Sequence, residues 1–201
     1  MRLNFRMVKK RSKKRFHARY SSKITTENPF LWIPHQYLPI IDKEAPGKGF
    51  RHFLTKKDIV RFIYLIPEWN NISKGLTKII LAKGVEGSDG WYSGTVLAIN
   101  AWDREFWRWV PPEYYLEHRK IFEKLNIQCC KQGREYLCKF DSASIKAFQL
   151  LHVFLHELGH HFDRITTKSQ KESSRGECYA EEYAREVDDS IWRRYFETVN
   201  E

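Results

Sequence analysis

The segment His156-Glu157-Leu158-Gly159-His160 brings two imidazoles and a carboxylate together on a short stretch of chain. In a helix, positions four apart lie one turn above each other, so His156 and His160 can aim ring nitrogens at a single ion. Zinc (Zn2+) suits such a pair, because it accepts nitrogen ligands and can keep a position for water. Glu157 stands beside the first histidine, where its carboxylate can take a proton from that water as general base. The chemistry open to this set is metal-assisted hydrolysis, with His156 and His160 as ligands and Glu157 as the catalytic residue.

Such a site needs a buried helix beneath it. Leu150, Leu151, Val153, Phe154, Leu155 and Leu158 surround the motif, and two histidines and a glutamate buried among them would be costly without partners. Asp141 to Ser144 supply N-cap candidates, and the spacing predicts a helix over 145–163. A final helix is expected over 174–196, with Ala180, Ala184, Val187, Ile191 and Tyr195 along one face. No histidine follows His161, so a downstream histidine cannot complete the metal site. A carboxylate or an extra water must do so, and the final helix offers Glu177 and Glu181, four apart on one face.

The run from Glu177 to Ala184 (E-C-Y-A-E-E-Y-A) resembles the E-x-x-A-N-x-F-A block of ImmA/IrrE-type peptidases. More broadly, H-E-x-x-H followed by a helix with acids four apart is similar to the Glu-zincin metallopeptidases. The likeness spans roughly residues 150–190. Glu181 stands where the family carries Asn or Asp, and the family's L-M-P segment is absent. The resemblance implies an α+β, zincin-like fold: a small mixed or antiparallel sheet packed on an active-site helix and a C-terminal helix. It implies a zinc metallopeptidase acting on a peptide or protein substrate, with Glu177 as third ligand and Glu181 accepting a hydrogen bond from His156. It also implies an antiparallel strand along the cleft rim that pairs with an extended substrate; residues 94–100 are the candidate.

Other polar groups have quieter readings. His152 is expected to be a satisfied structural histidine, and His161 to point away from the metal face. Asp163 either orients a ligand or contacts Arg164. Tyr179 and Tyr183 either stabilise an oxyanion or simply pack. Trp102, Trp107, Trp109, Tyr114 and Tyr115 either line a pocket or cover the core. Elsewhere the pattern predicts an irregular, proline-rich lead-in over 27–54 and a helix over 56–65 capped by Thr55. Two neighbouring strands, 76–81 and 94–100, should be joined by a turn-rich loop. A helix over 117–125 and a strand over 135–140 follow.

Charge divides the chain. Residues 1–26 hold ten Lys or Arg and no acid, whereas the other 25 basic residues are balanced by all 25 acids. The basic character belongs to this tail, which is expected to be disordered, and residues 27–201 form a single expected domain. A tail of this kind would bind nucleic acid through phosphates, in which case the body acts as scaffold or recruited protease. A solvated or targeting segment is the plain alternative. No apolar run is long enough to cross a membrane. Cys129, Cys130, Cys138 and Cys178 lack C-x-x-C spacing and are expected to be reduced, partly buried thiols in a cytoplasmic protein.

Overall fold

The computed structural model describes residues 38–167 and 174–199. The architecture is α+β. A four-stranded mixed sheet has the order β1 (Ile40–Lys43), β3 (Lys78–Ala82), β5 (Val96–Asn100), β4 (Gly90–Ser93). The first three strands run parallel, and β4 pairs antiparallel with β5. A two-stranded ribbon joins β2 (Phe50–Arg51) to β6 (Trp102–Asp103). A third, antiparallel sheet has β7 (Trp107–Val110) and β8 (Gln128–Gln132) flanking β9 (Glu135–Lys139).

The interior strands are apolar runs, as strands covered on both faces must be: Ile79, Leu81, Leu97, Ala98 and Ile99 are buried. Helix α1 (Lys56–Leu65) begins at a reciprocal capping box between Thr55 and Asp58 and buries Ile59, Phe62 and Ile63. It ends where Ile66 turns extended ahead of Pro67, the conformation a following proline favours. A single turn, α2 (Trp69–Ile72), follows. Helix α3 (Pro112–Lys124) starts earlier than expected, because Pro112 opens it rather than breaking it. The site helix is a continuous rod in three parts: α4 (Ser142–Phe148), a π-helical segment (Gln149–Phe154) and α5 (Leu155–Thr166). Asp141 and Ser144 form its capping box. Helix α6 (Glu177–Val199) packs along α5. Phe62, Phe154 and Tyr195 meet edge-to-face where α1, the rod and α6 come together.

Three further expectations change. The segment between β3 and β5 contains β4, so within residues 94–100 the strand Val96–Asn100 is interior and Gly90–Ser93 is the edge strand on that side of the sheet. The four-residue run was obscured by turn residues on both sides. The part of the proline-rich lead-in that is described, from residue 38, carries β1 and β2 rather than irregular chain. Finally, Cys129 and Cys138 are disulfide-bonded rather than reduced, since the β8–β9 register sets them opposite each other. Cys130 and Cys178 are free but exposed, not partly buried. The basic tail, residues 1–26, lies outside the described residues. No helix among the described residues is long and apolar enough to cross a membrane.

Candidate metal centre

Helix periodicity places His156 and His160 on one face of α5, with their Nε2 atoms 3.1 Å apart. The third group arrives from α6. Glu177 Oε2 lies 3.0 Å from His156 Nε2 and 3.4 Å from His160 Nε2. In a tetrahedral zinc site with ordinary bond lengths, neighbouring ligand atoms are about 3.3 Å apart. The triangle of donors therefore has the size that one such ion would require. Three lone-pair-bearing atoms this close repel one another unless a proton or cation lies among them.

The histidine orientation has its own support. His156 Nδ1 lies 2.9 Å from Glu181 Oε1, an acceptor, and in the neutral ring that bond places the lone pair on Nε2, the atom facing His160 and Glu177. Both acids reach α5 because the two helices approach closely at Gly159. A Cβ there would sit 2.9 Å from Ala180 Cα and 3.1 Å from Ala180 O, so any larger residue would push α6 away. Gly159 thus makes room for α6.

Glu157 is buried beside the pair. Burial pushes its carboxyl up to about 7, with the charges of Glu177 and Asp89 acting in the same direction and His156 opposing them. A carboxyl in that range can both accept and release a proton near neutral pH. Edge strand β4 crosses directly over it. A Cβ on Gly90 would meet Val153 Cγ1 at 2.7 Å, Ala98 O at 2.8 Å and Glu157 Cγ at 3.2 Å, so glycine lets the strand rest on the helix. The Tyr92 hydroxyl fastens the strand further along, meeting His161 Nδ1 at 3.1 Å and the Arg164 guanidinium. Among the described residues β4 pairs only with β5, leaving its outer edge open.

The remaining candidates sort themselves by surroundings. His152 is buried between Phe148 and His118, its Nε2 3.7 Å from Glu181 Oε1, and burial holds its pKa at about 4; it packs beneath the site as a neutral ring. His161 faces away from the His156/His160 pair, toward Tyr92 and Lys74, and is fully buried. Asp163 accepts a hydrogen bond from the backbone N–H of Arg175, not from Arg164. Tyr183 packs on Phe162 and Gly159 with its hydroxyl buried, and Tyr179 lies under the Arg175 guanidinium. The aromatic set divides: Trp102 is core, Tyr114 and Tyr115 pack against it, and Trp107 and Trp109 are exposed on β7.

One cluster escaped the sequence. Arg108 binds Asp89 at 2.7 Å and Asp103 at 2.9 Å while lying 3.6 Å over the Trp102 ring. The Tyr114 hydroxyl donates to Asp89, and His118 stacks on Tyr114 and meets His152 edge-to-face. Burial works to raise the Asp89 carboxyl, but the Arg108 charge together with the hydrogen bonds from Tyr114 and Arg108 holds it below its ordinary value. This network ties β7 and α3 to the base of β4, next to Gly90. Its members are scattered from 89 to 118 with no shared spacing, so only their polarity amid aromatic residues hinted at them. Comparison of the chain with protein-family models, curated proteins and solved structures found no match.

Proposed function

We propose that this protein is a zinc-dependent hydrolase of zincin-like build, and that it cleaves peptide bonds. The observation carrying this reading is the convergence of His156 Nε2, His160 Nε2 and Glu177 Oε2 within 3.4 Å of one another. A zinc ion held by these three side chains would polarise a scissile carbonyl and acidify a water. Glu157, raised toward neutrality by burial, takes the proton from that water and passes it to the leaving amine. Glu181 keeps His156 turned toward the ion. The edge of β4 beside Glu157, unpaired among the described residues, supports an extended peptide as substrate, bound by strand addition.

The purified chain is expected to carry about one zinc per molecule, the stoichiometry of one such centre. It should hydrolyse members of a broad peptide or unfolded-protein library, lose that activity to a chelator and regain it with zinc. A preparation that folds but takes up no zinc would refute the reading.

A second reading rests on the ten basic, acid-free positions of residues 1–26. By this reading the tail brings the hydrolase to nucleic acid through phosphate contacts. Deleting residues 1–26 should weaken DNA or RNA binding and flatten its salt dependence while leaving metal content unchanged. Equal affinity of both forms for nucleic acid would remove the tail from this role.

A further inference from the structure

Glu177 opens α6 with its side chain 76% exposed, so packing around the carboxylate does not hold it 3.0 Å from His156 Nε2. Its position has to come from the backbone on either side. On the C-terminal side, Ala180 rests on Gly159 of α5. On the N-terminal side, the Arg175 N–H donates to Asp163 Oδ2 at 2.7 Å, and Arg175 Nε lies 3.5 Å from Asp163 Oδ1. Gly176 then turns the chain with φ of 72°, and its carbonyl accepts from the amides of Tyr179 and Ala180. Glu177 follows at once.

Asp163 is the unusual member. It is fully buried, and its Oδ1 has no hydrogen-bond partner. A buried carboxylate is costly unless well partnered, and a buried acid retained with one oxygen short of donors calls for an explanation. It receives a charge-assisted bond from a backbone amide, stronger than a neutral side chain would form. It also lies three residues after His160 on the same helix.

We propose that Asp163 is a positioning residue for Glu177: by clasping the Arg175 amide it lets α5, which carries both histidines, also set where the third carboxylate stands. This inference rests on the metal-centre reading above. The connection between α5 and α6 is thereby tied at its far end, and the spacing of the donor triangle becomes a property of one helix and its clasp. The geometric route from Asp163 to the donor triangle is the chain leading to Glu177; its charge also acts on His160, which the Arg175→Pro variant leaves in place.

The test is zinc affinity of the full chain, measured by competition with a chromophoric chelator, in a double-mutant cycle. Asp163→Ala should weaken zinc binding by about tenfold or more, the usual scale for a supporting residue. In a Glu177→Ala background the same substitution should add less than about a twofold loss, because the two act as one unit. Arg175→Pro deletes the N–H from the exposed side and should reproduce the loss, whereas Arg175→Ala keeps the N–H and should not. If Asp163→Ala fails to fold, Arg175→Pro with and without Glu177→Ala decides the matter. Equal losses in both backgrounds, or unchanged affinity in both Asp163→Ala and Arg175→Pro, would overturn the positioning role. Wild-type protein that binds no zinc would instead overturn the metal centre itself, and this inference with it.

Discussion

His160 and His161 are neighbours on α5, yet they occupy opposite environments. On one face, His156 satisfies Nδ1 through Glu181 and turns Nε2 toward His160 and Glu177, whose atoms facing it are themselves electron-rich. On the other face, His161 Nε2 donates to the Lys74 carbonyl and Nδ1 meets the Tyr92 hydroxyl, both at 3.1 Å. Burial holds that ring's pKa at about 4, so it remains neutral and satisfied. The helix turns by about 100° per residue, and this alone separates a ring that faces converging donors from one that completes the core. What distinguishes the two is what the ring nitrogens face: His161 meets a carbonyl and a hydroxyl, whereas His156 Nε2 faces a second imidazole and a carboxylate, a set that a proton or a cation can bridge.

The sharpest test of the contrast is metal content. Replacing both His156 and His160 by Ala should take the protein from about one zinc per chain to none, as removal of two of three ligands requires. His161→Leu should leave the stoichiometry unchanged. Elemental analysis of the purified variants decides between them, and metal retained by the double variant would abolish the difference between the faces.

Next in size is the effect of Glu157→Gln, which keeps the shape of the side chain but cannot accept the proton. Peptide hydrolysis should fall by about two orders of magnitude or more, the scale typical of a general base, with zinc retained. Equal cleavage by wild type and variant would assign the activity to another part of the molecule.

A smaller effect is expected between the helices. Gly159→Ala forces a methyl against Ala180 backbone atoms at 2.9 and 3.1 Å, so α6 must shift. Overpacking of this kind should cost about 1–3 kcal/mol in denaturant unfolding. It should also weaken zinc binding, because Glu177 and Glu181 move with α6. Unchanged affinity would mean that the carboxylates follow the histidines despite the displacement.

The smallest change in the centre is predicted for the opposite face. His161→Leu leaves the Lys74 carbonyl without its donor and should lower stability by about 1–3 kcal/mol, the cost of an orphaned buried group. The variant should still load zinc fully. A loss of metal in His161→Leu would show that the two faces are coupled rather than separate.

Much of the centre was legible because it is helical and local. Spacing within one element puts His156, Glu157 and His160 together, and the same rule puts Glu177 and Glu181 on one side of α6. Capping residues likewise marked the starts of α1 and of the α4–α5 rod, since a cap bonds amides only a few positions away. The tertiary structure alone decided the rest. It made Gly90–Ser93 the edge strand, because sheet order depends on partners distant in sequence. It assembled Asp89, Arg108, Tyr114 and His118 into one network and set Cys129 opposite Cys138. It also gave Asp163 to the Arg175 amide instead of to Arg164. Helical periodicity is written in every few residues of chain; the pairing of strands and the meeting of buried charges depend on which segments the whole core brings into contact.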